Sequence, residues 1–243
     1  MLPVSVRKFL GNIIGGFVPN HARRLRTRVW VAAPMWRCMR FVHRIHGKGA
    51  KIEKFYGAGG KSLVLGVDKK YVYKFSCQRD ANKIALREKD IVDYFKHISP
   101  LPTPDIKLLK MGRELVRRYD YVSGTALSAL PPDVMIKNAN KIGKQIAKFL
   151  FEIAQHDPDC LKKYKTHAVD IPRPFYGWNH EDWDNLENFI IDKDTLKIIA
   201  VIDWENTTFG DFYWRLYRTH RPEKRALFDA VHDQYLRLYN NKK

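Results

Sequence analysis

The chain has 243 residues, 45% hydrophobic and 13% aromatic with six Trp, enough apolar surface for one large domain or two lobes around a cleft; intrinsic disorder is excluded. Lys and Arg total 44 against 26 Asp and Glu, and the net charge of +18 points to an acidic partner. Cys38, Cys77 and Cys160 are odd in number and widely spaced, which excludes a disulfide framework or a CxxC metal knuckle and suits a reducing compartment, the cytoplasm.

At the N-terminus an apolar patch from Phe9 to Val18 is interrupted by Asn12, so no secretion signal is read there, and no run reaches the roughly 18 to 20 apolar residues of a membrane span. Met1 to Ala50 holds ten basic residues and no acid, the first carboxylate being Glu53. On a helix, Met35, Met39 and Val42 fall on one side and Arg37, Arg40 and Arg44 on the other. Such a basic amphipathic segment can pack on the body with solvated arginines, lie on an anionic membrane surface, or meet nucleic acid.

From Lys51 short alternating runs predict three antiparallel strands, Ile52–Tyr56, Ser62–Val67 and Tyr71–Ser76, separated by the turn Gly57-Ala58-Gly59-Gly60 and by Asp68-Lys69-Lys70. A helix is expected from about Asp80 to His97, broken by the proline run at Pro100, Pro102 and Pro104, then strands near Ile106–Met111 and Glu114–Tyr121. After Pro131-Pro132 a core helix is marked by Ile142, Ile146, Phe149, Leu150 and Ile153 on one stripe. The division expected is 1–50 for a basic extension, 51–125 for a small sheet-bearing lobe and 126–243 for a second, mainly helical lobe.

Two clusters carry chemistry. Glu88 lies on the apolar face of its helix with Ile84, Ile91, Val92 and Phe95, and a carboxylate there needs a cation or strong donors, because an unpaired buried charge costs several kcal/mol. Lys74 is the candidate, its stem directed inward with Val72 by strand alternation; the plainer alternative is that Glu88 bends to solvent and Lys74 is a strand-edge lysine. The second cluster runs from Asn179 to Asn188 as a polar loop, then Phe189 to Asp192, a turn at Lys193-Asp194-Thr195, and Leu196 to Ile202 ending in Asp203-Trp204-Glu205. This hairpin brings Asn188 and Asp203 to one edge, an oxygen pair that suits Mg²⁺, which takes few protein ligands beside phosphate and water; ordinary turn chemistry is the alternative.

The order of glycine-bearing turn, strand lysine, helix glutamate, His180-x-Asp182 loop, Asn188, hairpin and Asp203 resembles the protein-kinase-like phosphotransferases. Ile202-Asp203-Trp204-Glu205 and Gly210-Asp211, with no room for a long activation segment, make it more similar to the aminoglycoside-phosphotransferase type. The likeness covers roughly Lys51 to His220. It implies an α+β, two-lobed kinase-like fold with a small antiparallel N-lobe and a mainly helical C-lobe, to which the basic helical N-terminal extension, outside the likeness, is added. It further implies ATP and Mg²⁺ as cofactors. Gly57, Gly59 and Gly60 would admit the phosphates, Lys74 would contact them with Glu88 holding it, and the main chain of Tyr119-Asp120-Tyr121-Val122 would meet adenine. Asp182 would take the acceptor's proton, Asn188 and Asp203 would hold the metal, His180 would support the loop, and Asp211 would steady its backbone. Asp182 to Asn188 is one residue longer than the family's usual spacing and Asp184 to Asn188 one shorter, so Asp184 is the alternative base.

Charge then bears on the acceptor. A strongly basic chain disfavours cationic substrates and suits an acceptor carrying phosphate or carboxylate. A sugar hydroxyl on an acidic, membrane-associated glycolipid fits both the charge and the N-terminal segment, and the lipopolysaccharide-core sugar kinases resemble that description, with a peripheral place on the inner face of the cytoplasmic membrane. Two other classes are open: a kinase-like module that binds without transferring phosphate, and a basic nucleic-acid-binding protein, which leaves the polar constellation without a purpose.

Overall fold

The computed structural model describes residues 35–56, 62–165, 174–217 and 221–242. It is an α+β fold whose sheets are all antiparallel. A helix, α1, covers 35–46. Strands β1 (Ile52–Tyr56), β2 (Ser62–Val67) and β3 (Tyr71–Ser76) follow with the expected bounds, then helix α2 (Ala81–Phe95) and strands β4 (Ile106–Met111) and β5 (Glu114–Asp120). These form one five-stranded sheet ordered β1-β2-β3-β5-β4. The β2–β3 turn places Asp68 and Lys69 at φ of 53° and 51°, and the Asp68 carboxylate accepts from the Lys51 amide at 2.8 Å, fastening the start of β1 to the turn.

Strand alternation gives this sheet two unlike faces. Outward go Leu63, Leu65, Val67, Tyr73, Phe75 and Val116, and the apolar side of α1, with Cys38, Phe41 and Val42 buried and Met35 and Met39 packed beside them, closes over them as a separate small core. Tyr73 is fully buried there and its hydroxyl hydrogen-bonds His46 Nε2 at 2.6 Å. The first alternative for the basic segment therefore holds for 35–46: it packs on the body, with Arg37, Arg40 and Arg44 exposed on its far side. Residues 1–34, with the Phe9–Val18 patch, lie outside the described residues.

Beyond β5 come the short β6 (Thr125–Ala126), α3 (Pro132–Lys137), α4 (Ala139–Ala154), β7 (Tyr176–Asn179), β8 (Phe189–Asp192), β9 (Lys197–Val201), β10 (Thr208–Asp211) and α5 (Pro222–Lys242). The single helix expected after Pro132 is two, because Asn138 leaves helical geometry (φ −109°, ψ 13°) and its side chain donates to the Val134 carbonyl at 2.9 Å. The apolar stripe of α4 is buried as its spacing requires. At Gly143 a Cβ would lie 2.8 Å from the Ala230 side chain, so only glycine lets α4 and α5 approach this closely. Ile91, Val92 and Phe95 of α2 share one core with α4, the hairpin and α5, which anchors that helix to the larger lobe.

Candidate active site

Lys74 on β3 faces inward, opposite the α1 side, and pairs with Arg117 of β5 in the sheet register. Its ammonium is nearly buried and forms ion pairs with Asp203 and with Glu205, the latter at 3.0 Å. Burial disfavours the charged lysine, but Glu88, Asp203 and Glu205 together outweigh that and hold its pKa above the ordinary value. The sheet lysine and the hairpin aspartate thus meet across one gap.

Glu88 is fully buried, as its place on the apolar face of α2 requires. Its cation, however, is not the expected one. The Glu88 carboxylate is ion-paired with Arg117 through Oε2, and its Oε1 accepts the Trp204 amide at 3.1 Å. The expectation that Glu88 grips Lys74 directly is corrected: the direct carboxylate partners of Lys74 are Asp203 and Glu205, and Glu88 acts on it at longer range. Arg117 also donates to Glu205 at 2.7 Å and is completely buried. Sequence reasoning missed both Arg117 and Glu205. The signal for the first is the pair Arg117-Arg118 within β5, since alternation must send one of them inward; Arg118 goes outward, its guanidinium 4.5 Å from the Tyr71 ring centroid.

The hairpin is fixed by Phe189 opposite Val201, and the Ile202 amide donates to the Asn188 carbonyl at 2.9 Å, which sets Asn188 beside the end of β9. Asp203 then turns into the left-handed region at φ 64°, with its side chain 38% exposed. Asn188 Nδ2 donates to the Asp182 main-chain oxygen at 3.1 Å, leaving its amide oxygen as the atom able to meet a cation. Among the described residues no group of three or more His, Cys, Asp or Glu could hold a metal ion. Asp203 and Asn188 bring one carboxylate and one amide oxygen to this edge, a pair too small for an all-protein cage and of the kind that would suit a small hard cation keeping phosphate and water oxygens.

Asp182 is partly exposed, and its Oδ2 accepts from Asn206 Nδ2, a partner for which the sequence offers no periodic signal. Asp184 is committed elsewhere: Arg215, itself buried, donates to it at 3.0 Å and to Glu181 at 2.7 Å, so one guanidinium braces both ends of the Glu181–Asp184 turn. Asp211, expected to steady this loop, accepts the Tyr213 amide at 2.8 Å, and Arg215 braces the loop as well. His180 is wholly buried under Trp204 and donates from Nε2 to the Ile202 carbonyl at 2.9 Å. Burial pushes its pKa down, so it is neutral and ties the loop to the hairpin.

The Tyr121 amide donates to the Lys70 carbonyl at 2.9 Å. By alternation the main-chain groups of Asp120, the last residue of β5, face away from β3 at the edge where β4 has not begun, and Val122 lies two residues beyond the strand. Gly57, Gly59 and Gly60 lie outside the described residues, and no position is assigned to them.

Neither a protein-family model nor a curated protein sequence matches the chain. Solved structures do. Aminoglycoside phosphotransferase APH(3'')-Id from Streptomyces rimosus superposes with a TM-score of 0.58 at 16% identity, covering 82% of this chain and 91% of that one. The streptomycin–ATP ternary complex of APH(2'')-IIa gives 0.57 at 14% identity over 81% and 82%. Macrolide 2'-phosphotransferase MphH from Brachybacterium faecium gives 0.51 at 12% identity over 79% and 81%. The chain shares their fold.

Proposed function

We propose that the protein is an ATP-dependent phosphotransferase that moves a phosphoryl group to an alcohol. The observation that carries this reading is Lys74 of the small sheet meeting Asp203 of the hairpin, with Asn188 and Asp182 tied to the same hairpin end. Neighbouring structures of the same fold hold ATP with streptomycin, or GDP with kanamycin. Lys74 would bind the phosphates, and the main chain of Asp120 and Val122 would meet the base. Asn188 and Asp203 would hold Mg²⁺, which supplies charge neutralisation of the phosphate oxygens. Asp182 accepts the acceptor's hydroxyl proton as the new O–P bond forms and the bond from the γ-phosphorus to ADP breaks. Two features favour Asp182 over Asp184: Asn206 takes its Oδ2 and no hydrogen bond engages its Oδ1 among the described residues, and Asp184 is committed to Arg215.

The acceptor is a sugar hydroxyl on an acidic, membrane-associated glycolipid, of which lipopolysaccharide core is the model. A chain of +18 repels polycationic antibiotics and attracts phosphorylated sugars. The apolar side of α1 is already spent on the sheet, so contact with an anionic surface is made by its exposed arginines and by Trp36, half exposed among them, without insertion of the apolar side. Among the described residues no helix is long and apolar enough to cross a membrane. Transfer of labelled γ-phosphate from ATP to a phosphorylated lipid-linked sugar, against kanamycin and a soluble neutral sugar as alternatives, tests the proposal. Efficient transfer only to the neutral sugar overturns the glycolipid assignment, and absence of nucleotide binding overturns the enzyme.

A further inference from the structure

Five charged side chains meet in the cleft, and their burial is unequal. Glu88 and Arg117 are 0% exposed, Glu205 6% and Lys74 7%, whereas the Asp203 side chain is 38% exposed. The four buried groups sum to zero charge, which is the condition for keeping them out of water; an unmatched fifth must sit at the rim. Asp203 is therefore the member that can leave Lys74 for a cation without stranding a buried charge. Once it leaves, Lys74 retains one direct carboxylate partner, Glu205 at 3.0 Å.

Glu88 cannot take over that contact without cost, because Oε2 is committed to Arg117 and Oε1 to the Trp204 amide. Glu205 Oε2, by contrast, receives both Lys74 and Arg117. Resting on the phosphotransferase reading, we infer that Glu205 is the carboxylate that positions Lys74 for phosphate, and that Arg117 is a positioning residue that holds Glu205 in place. The lysine is thereby registered to the turn that follows the metal-binding hairpin, two residues from Asp203, and α2 contributes through Arg117.

The test is the dissociation constant for ADP in the presence of Mg²⁺, the condition under which Asp203 would leave Lys74 for the cation, measured calorimetrically on the full chain. A lost charge-assisted contact of this kind corresponds to roughly 10- to 100-fold. Glu205→Gln and Arg117→Met each weaken ADP binding with Mg²⁺ at least about tenfold on that scale, and Glu88→Gln weakens it less than about threefold. A single nitrogen of Arg117, Nη1, makes both ion pairs, so Arg117→Lys, one bond shorter, recovers most of the affinity. Impaired folding alone lowers the number of binding sites and leaves the constant unchanged. Should Arg117→Met not fold, the charge-balanced pair Arg117→Met/Glu88→Gln is expected to show the same loss. Parent-like affinity in Glu205→Gln, or a larger loss in Glu88→Gln than in Glu205→Gln, overturns the inference. A parent protein that binds no ADP overturns the phosphotransferase reading itself, whereas a reversed order on a parent that binds ADP leaves that reading standing.

Discussion

The two faces of the five-stranded sheet use the same strands for opposite ends. On β3, Tyr73 and Phe75 point outward into a dry apolar layer under α1, while Lys74 between them points inward to three carboxylates. The outer face is stabilised by area removed from water, which is non-directional and tolerant of small shifts. The inner face depends on matched charges whose partners must all be present, because removing one strands another. Stability and chemistry are thus separable by the parity of a residue within one strand.

That separation can be broken from either side. The largest effect is expected at the base: Asp182→Asn should lower kcat by about 10²- to 10⁴-fold with ADP affinity near that of the parent, whereas Asp184→Asn, which releases Arg215, should act mainly on stability. Full activity of Asp182→Asn in a phosphotransfer assay would remove it from the role. Next, Leu65→Ala on the outer face should cost about 2–5 kcal/mol in chemical denaturation while the folded fraction binds ADP normally. Altered affinity there would show the faces to be coupled. Third, His180 is buried neutral with a depressed pKa, so the unfolded chain takes up a proton first as pH falls through the ordinary histidine value near 6.5. Stability should be intact above that pH and fall below it, by at most about 1.4 kcal/mol per pH unit for one proton, with the Asp203, Asp182 and Glu88 carboxylates opposing the effect of burial. A denaturation series from pH 7.5 to 5 on the parent and on His180→Gln measures this, and identical pH slopes would refute it. The smallest change is Tyr73→Phe, which removes the bond to His46 and should cost about 1 kcal/mol, a Tm decrease of roughly 2–4 °C. Catalysis should not notice it.

Much of the small lobe was legible because its strands alternate cleanly. The bounds of β1, β2 and β3 follow from apolar periodicity, and the misfit of Glu88 on an apolar helix face announces a buried charge network. What periodicity cannot supply is the partner: Lys74 and Arg117 both point inward, and only the packing of α2 against the turn at Trp204 decides which one Glu88 meets. The loop from Asn179 to Asn188 was readable as a polar stretch, but the bond from Asn206 to Asp182 joins residues far apart in sequence with no shared period. The pairing of β7 with β10 was not foreseen either; Tyr176–Asn179 is short, and its partner follows the hairpin. The break at Asn138 turns on one side chain capturing a carbonyl, a local competition that an apolar stripe does not reveal.

The left-handed backbone at Asp203 narrows what evolution can place there. At φ 64° most side chains carry a steric penalty of about 1–2 kcal/mol, from which Gly, Asn and Asp are largely exempt. Glycine offers no ligand, so if Asp203 holds the proposed cation, aspartate and asparagine are the residues that best suit both the conformation and that role. Glutamate, the usual conservative exchange, would both strain the turn and extend the carboxylate by one methylene. The main chain thus adds a preference at position 203 to that of the ligand chemistry, a bias of about 1–2 kcal/mol that Lys69, Phe175 and Leu196 overcome at similar φ elsewhere in the chain.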